Sequence, residues 1–240
     1  MTPQLPRGRG RSVFARLLLA GIALISAASA LDEVPHGTLT VDRDMIRTGT
    51  KSQLTWNITY PAPVTSVIDV QTPNVIVPKK NLNMKVRVLG ASFQATLTQF
   101  LPVQAMWSKN GGAWTQIFYG LQTAVLPSVA VLNTTVKTGD KINLGGRGYR
   151  DGAWLPFYNT SITTPNLVML GNGNQVPQTT PAFAQGDIES FLKPYLDPKT
   201  GLVNIGDRDL IILMELGQTN PAASGFDLQD LVLLVTFADP

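Results

Sequence analysis

Short runs with a period of two dominate this chain, and turn-forming residues interrupt them about every ten residues. In SQLTWNITYP (52–61), large apolar side chains occupy every second position, which is the pattern of a half-buried strand. The chain also contains 17 prolines, which favour short strands and loops over long helices. The pattern therefore predicts an all-β protein made of one or more antiparallel β-sandwiches.

One short helix is predicted among the strands, at 187–196, where Asp187 can cap the first turn and apolar side chains follow at helical spacing. The segment DLIILMEL (209–216) is short and rich in isoleucine and leucine, so we expect a strand that pairs antiparallel with 230–237. Further strand-like runs lie at 37–42, 64–70, 84–90, 103–108, 113–120, 129–136, 154–160 and 166–170.

A domain boundary can fall near 121–127, and two architectures follow from it. Either two sandwiches occupy 31–122 and 123–240, or one large sandwich spans 31–240. The stretch LTVDRDMIRTGTKSQLTWNIT (39–59) resembles the opening of bacterial immunoglobulin-like modules. That resemblance implies an immunoglobulin-like first half.

Residues 1–30 have the features of a secretory signal peptide that is cleaved. Four arginines and no acidic residue precede an apolar run that ends in Ala28-Ser29-Ala30. The run is shorter than the roughly 20 residues that a membrane-spanning helix needs, so no membrane span is expected after cleavage. We expect a bacterial protein that is exported to the periplasm or secreted from the cell. Because it contains no cysteine, its stability must come from burial and not from disulfides.

The charge of the mature chain is close to neutral but unevenly distributed. Residues 31–240 contain 15 basic and 16 acidic side chains, which argues against a nucleic-acid partner. Residues 31–186 carry a net charge of +5, and residues 187–240 carry −6. Either the difference marks an interaction surface, or the two parts attract each other within one folded unit.

The residue inventory excludes most catalytic chemistries. Without cysteine there is no thiol nucleophile and no thiolate zinc site. The single histidine, His36, cannot build a histidine cluster for zinc, and no G-x-S-x-G motif accompanies it. The remaining route is a carboxylate pair of the kind that glycoside hydrolases use, with Glu215 as its candidate. We therefore assign no catalytic residue and expect no enzyme.

Aromatic and arginine side chains alternate with glycines in GRGYRDGAWLPFY (146–158). Exposed rings beside arginines can stack on sugars or hold a small planar ligand, so Tyr149, Trp154 and Tyr158 are the candidate ligand-binding residues. The alternative is a hairpin whose aromatic side chains belong to the core.

Acidic residues precede both of the last two apolar runs. Asp207 and Asp209 come before one run, and Asp227 and Asp230 come before the other. If the runs pair antiparallel, their starts lie at opposite ends, so the four acids do not meet. Asp227 and Asp230 with loop carbonyls could form half of a calcium site, or they could cap the loop by accepting backbone N–H bonds. Calcium is the one cofactor that the sequence leaves open.

The stretch GFDLQDLVLLV (225–235) resembles the D-F-N-D-L-V strand entry of some bacterial extracellular sandwich domains of unknown function. Leu228 and Gln229 stand where that pattern has an aromatic residue and Asn. The resemblance implies a place in a cell-surface protein. The stretch LDPKTG (196–201) differs from a calcium loop, because Lys199 occupies a ligand position, and predicts an Asp-Pro turn.

The function expected from these features is that of an exported, non-catalytic β-sandwich with a structural or adhesive role. Self-association and a cell-surface partner are both open. A carbohydrate- or small-ligand-binding module is the first alternative, and a carboxylate-based glycoside hydrolase is the second.

Overall fold

The computed structural model describes residues 36–41, 54–59, 63–179 and 192–240. Antiparallel strands are the main element within these ranges, as the sequence predicts. The strands are β1 His36–Val41, β2 Leu54–Thr59, β3 Ile68–Gln71, β4 Val75–Pro78, β5 Leu82–Gly90, β6 Gln94–Thr96, β7 Gln99–Phe100, β8 Val103–Lys109, β9 Thr115–Gly120, β10 Ala130–Val136, β11 Ile142–Arg150, β12 Ala153–Trp154, β13 Tyr158–Asn159, β14 Leu167–Leu170, β15 Asp209–Met214 and β16 Leu231–Ala238. The helical pieces are α1 Val64–Val67 and two 3-10 turns, Gln122–Ala124 and Lys193–Tyr195.

Two larger sheets form a sandwich. The five-stranded sheet has the order β10-β5-β16-β15-β14, and the seven-stranded sheet has the order β3-β4-β11-β8-β9, with β12 and β13 also pairing with β11. Two further pairs, β1-β2 and β6-β7, form small sheets of their own. All these strand pairs are antiparallel, which confirms the predicted class.

The main core lies between the two sheets. Alternate residues of β5 point into it, as the period of two requires. They pack in one cluster with residues of the opposite sheet. The fully buried members include Leu82, Met84 and Val86 on β5, and Ile76, Val103, Ile142 and Leu144 on the facing strands.

Strand β16 is buried over all eight of its residues, because both faces of the five-stranded sheet are covered at this point. One face of β16 contributes to the main core. The other face packs with β15 under the loops on either side of β15. This confirms that 230–237 is a central strand covered on both sides, and that it pairs antiparallel with DLIILM.

Strands from both sides of residue 122 share the two sheets. β5 lies between β10 and β16, and β11 lies between β4 and β8. The choice between one larger sandwich and two in tandem stays a prediction. The immunoglobulin-like first half stays a prediction.

Two predicted elements differ in detail. The stretch VTSVIDV (64–70) begins as the short helix α1, because Pro63 precedes it and the Ser66 hydroxyl donates to the Pro63 carbonyl oxygen at 2.7 Å. The predicted strand 154–160 is interrupted at Pro156. In its place are the two-residue strands β12 and β13, one on either side of this proline. Most of the predicted helix 187–196 lies outside the described residues.

In the described part of the chain, no helix has the length and apolar character that crossing a membrane requires.

Candidate functional site

Three carboxylates meet where β15 ends and β16 begins. Glu215 directly follows β15, Asp230 directly precedes β16, and Asp227 lies in the loop that joins the two strands. Because the strands are antiparallel neighbours, the end of one lies beside the start of the other. The three residues form the site that we call the acidic cluster.

The oxygens of the acidic cluster converge. One carboxylate oxygen from each of the three residues lies within 4.8 Å of the other two. The residues are almost fully buried, with relative exposures of 1% for Glu215, 2% for Asp227 and 5% for Asp230. Among the described residues, neither Glu215 nor Asp230 forms an ion pair with a lysine or arginine. The site therefore concentrates negative charge in a buried volume.

Backbone N–H groups fix the orientation of all three carboxylates. Glu215 Oε1 accepts from the N–H of Gly217 at 2.9 Å and of Gln218 at 2.8 Å, and its Oε2 accepts from the N–H of Asp227 at 3.0 Å. Asp230 Oδ2 accepts from the N–H of Leu216 at 2.7 Å and of Gly217 at 3.2 Å.

Gln229 holds the carboxylate of Asp227 through two hydrogen bonds. Asp227 Oδ1 accepts from the Gln229 N–H at 3.2 Å, and its Oδ2 accepts from the Gln229 amide at 3.0 Å. The loop between them turns at Leu228, which has a positive φ of 59°. Asp227 and Asp230 thus cap the loop, and the same side chains converge with Glu215.

Burial and like charges act together on Asp230. Its burial is the largest influence and raises its pKa well above 3.8, and the charges of Glu215 and Asp227 raise it further. The N–H bond from Leu216 opposes this without reversing it. The acidic cluster also affects Tyr158 of β13. Burial raises the pKa of its phenol, and the charge of Glu215 raises that pKa further. An added positive charge, either a proton or a metal ion, would relieve the repulsion.

A pocket of about 430 Å³ opens beside the acidic cluster. Phe93 and Gln94 form part of its wall, together with the ion-paired Arg150 and Asp151, whose Nε and Oδ2 lie 3.8 Å apart. The Oε1 atom of Gln94 is buried and has no hydrogen-bond partner within the described ranges. This oxygen is a further acceptor on the wall that the three carboxylates share.

Of the predicted ligand-binding residues, the fold brings two together. The ring centroids of Tyr149 and Trp154 lie 5.0 Å apart, and Tyr119 joins them at 5.9 Å from Trp154. Tyr158 is half-buried against the main core and makes no ring contact with either residue in the described structure.

Asp207 and Asp209 lie at the opposite end of β15, as antiparallel pairing predicts. Asp209 Oδ2 accepts from the Gly206 N–H at 3.1 Å, and Asp207 Oδ1 accepts from the Asn172 amide at 3.4 Å. His36 is the first residue of β1. These residues therefore add nothing to the acidic cluster.

Glu215 is the member of the cluster that the sequence did not assign to a metal. The available signal was its position near the end of 209–216, the strand predicted to pair with 230–237. No sequence signal pointed to Tyr119 as a neighbour of Tyr149 and Trp154. Its strand, β9, is brought near them only by the strand order of the seven-stranded sheet.

No protein-family model, curated protein or solved structure matches this chain, so its function is argued from the geometry of these residues.

Proposed function

We propose that this chain is an exported, non-catalytic β-sandwich with a structural or adhesive role, and that its acidic cluster binds calcium. The observation that carries the metal proposal is the convergence of three buried carboxylates within 4.8 Å. Export rests on the sequence of residues 1–30, which lie outside the described residues.

Charge is the first argument for a cation. Three neighbouring carboxylates in a low-dielectric site repel one another, and this repulsion adds to burial, the larger cause, in raising the pKa of Asp230. A divalent ion placed among them would neutralise two charges at once. Because backbone N–H groups already hold the oxygens, binding requires little further ordering of the side chains.

The donor atoms favour calcium. All three residues offer oxygen, and neither histidine nor cysteine lies in the cluster. Calcium takes six to eight oxygen ligands, including carbonyls, amides and water. Gln94 Oε1 and water in the adjoining pocket could complete such a shell. Magnesium requires a more regular octahedron and retains more of its water.

Accessibility argues against the hydrolase alternative. A glycosidase needs two carboxyl groups that both reach a sugar ring in a cleft. Here the three side chains are at most 5% exposed, and backbone N–H groups occupy several of their oxygens. A bare ion fits among them more readily than a saccharide does.

Thermal unfolding of the mature protein with 5 mM calcium and with a chelator tests the proposal. A calcium concentration 100 times Kd adds about 2.7 kcal/mol of stability, or roughly 5–10 °C in Tm for a domain of this size. Magnesium at the same concentration should give a clearly smaller shift. Coincident curves with calcium and with chelator would refute calcium binding.

A further inference from the structure

A second set of residues forms a compact patch on the outer face of the seven-stranded sheet. The aromatic patch consists of Tyr119 on β9, Arg147 and Tyr149 on β11, and Trp154 on β12. The Arg147 Cζ atom lies 4.3 Å from the centroid of the Trp154 ring, so the guanidinium stacks on the indole. Tyr119 and Tyr149 both meet Trp154 edge to face.

The aromatic side chains remain accessible to solvent. Tyr119 is 50% exposed and Trp154 is 39% exposed. Arg147 covers part of one indole face, so the remaining ring surface and the Tyr119 ring face outward. Exposed rings of this size in contact with one another are characteristic of surfaces that bind a ligand.

A row of polar side chains positions Arg147 across three strands. Gln116 accepts from the Gln104 amide at 2.5 Å, and Gln104 Oε1 accepts from Arg147 Nε at 2.8 Å. Gln104 is directly opposite both Tyr119 and Arg147 in the sheet. Within the described residues, Arg147 has no carboxylate partner. Its two terminal nitrogens are therefore available to an external acceptor.

The aromatic patch is separate from the acidic cluster. A Cβ added to Gly146 or Gly148 would meet Leu231 or Phe93, so those positions of β11 face inward. The intervening Arg147 and Tyr149 therefore point to the opposite face of the sheet. The pocket beside the acidic cluster is lined by Phe93, on the inner side.

We propose that the aromatic patch binds a saccharide that carries a carboxylate, such as a uronic acid residue of an acidic polysaccharide. The planar faces of Tyr119 and Trp154 suit the apolar face of a pyranose ring. The fixed, stacked guanidinium of Arg147 matches a carboxylate through two parallel N–H bonds.

The surrounding charge supports an anionic ligand. Residues 63–179, which include the whole aromatic patch, contain nine basic and three acidic side chains. A positive field attracts a polyanion and weakens with salt. Neutral polysaccharides would gain only from the rings.

Affinity electrophoresis of the mature protein tests this proposal, with chelator present throughout so that the acidic cluster plays no part. The probes are polygalacturonate and the same polymer after its carboxyl groups are reduced to alcohols. We expect retardation by polygalacturonate at low salt, with affinity for the reduced polymer lower by at least about ten-fold. Trp154→Ala and Tyr119→Ala should each abolish most of the retardation.

The matched control is Trp56→Ala, which removes a tryptophan that is 64% exposed on β2, outside the aromatic patch. This variant should bind like the wild type. Arg147→Gln should bind both polymers equally weakly, and Arg147→Lys should recover part of the preference for the acid. Circular dichroism identifies any variant that fails to fold, and Tyr119→Ala on an exposed strand provides a second test in that case.

Two results would overturn the proposal. If neither polymer retards the protein, a polyuronate site is excluded. Equal affinity for the acidic and the reduced polymer in the wild type would exclude carboxylate recognition by Arg147.

Discussion

The Asp230 carboxyl group experiences two opposing influences. N–H bonds from Leu216 and Gly217 favour its charged form, while burial and two neighbouring carboxylates favour its neutral form. Burial and like charge prevail, so its pKa is raised. A neutral acceptor at this position should therefore suit the metal-free protein as well as aspartate does.

Asp230→Asn tests this balance. The amide oxygen can still accept from Leu216 and Gly217, and one negative charge disappears. In chelator at pH 7.5, we expect the variant to be at least as stable as the wild type. With calcium, the predicted Tm increase of roughly 5–10 °C should fall below about 2 °C, because one ligand charge is lost. Thermal unfolding with and without calcium measures both effects.

The control for this variant is Asp197→Asn. Asp197 also caps a turn, since its Oδ1 accepts from the N–H groups of Lys199 and Thr200, but it lies outside the acidic cluster. Its substitution should leave the calcium-dependent shift unchanged. A full calcium response in Asp230→Asn would place the ion elsewhere.

At the scale of single elements, Gly145 of β11 allows β13 to lie close against it. A Cβ at Gly145 would lie 2.6 Å from the Tyr158 carbonyl oxygen and 2.7 Å from Phe157 Cζ. Gly145 therefore leaves room for β13, while Gly146 and Gly148 leave room for Leu231 and Phe93 on the other face.

Gly145→Ala should accordingly destabilise the fold by about 1–3 kcal/mol, because the backbone of β13 has to move away. Gly171→Ala is the matched control, since its nearest neighbour would be at an ordinary 3.8 Å. Equilibrium unfolding in urea compares the two variants. Equal stability of Gly145→Ala and the wild type would contradict the close approach of β13.

The start of β15 predicts a pH dependence. Burial raises the pKa of Asp209 above its ordinary value of 3.8. The folded state therefore binds this proton more tightly than the unfolded state does. The resulting stability is present below pH 3.8 and is lost as the pH rises through the raised pKa. Asparagine at this position does not ionise, so the Asp209→Asn variant lacks this pH dependence.

The stability of Asp209→Asn relative to the wild type should therefore increase as the pH rises from about 4 toward neutral. Urea unfolding of both proteins across this range, in chelator, measures the difference. A relative stability that stays constant with pH would contradict a raised pKa at Asp209.

Much of the fold could be predicted at the level of single strands. The continuous apolar run 230–237 indicated a strand covered on both faces, and β16 is buried throughout. The pairing of β15 with β16 followed from their short separation. The helix α1 could not be predicted, because its valines favour strands and the local geometry at Pro63 decides the outcome.

The candidate sites depended on contacts that no short pattern contains. Asp227 and Asp230 stood out because they precede an apolar run. Glu215 joins them only because the intervening loop folds back, so that the N–H groups of Gly217 and Asp227 donate to its carboxylate. Tyr119 reaches Trp154 from a strand that is two positions away from β11 in the sheet.

At the scale of the whole molecule, the shared sheets predict a single cooperative transition. Both sheet neighbours of β5, the strands β10 and β16, follow residue 122 in the chain. The part of the chain before residue 122 therefore lacks the pairing partners of β5. A fragment ending at residue 122 should be unfolded, and the mature protein should unfold in one step by both near- and far-ultraviolet circular dichroism. A folded fragment would instead support two tandem domains.

The central claim is that a calcium ion occupies the acidic cluster. The most direct measurement is anomalous X-ray diffraction from crystals of the mature protein grown with calcium. We predict an anomalous peak about 2.3–2.6 Å from oxygens of Glu215, Asp227 and Asp230. The contrary result is a crystal at saturating calcium with no peak among these oxygens and with Asp230 close enough to Glu215 to share a proton. That result would contradict the claim.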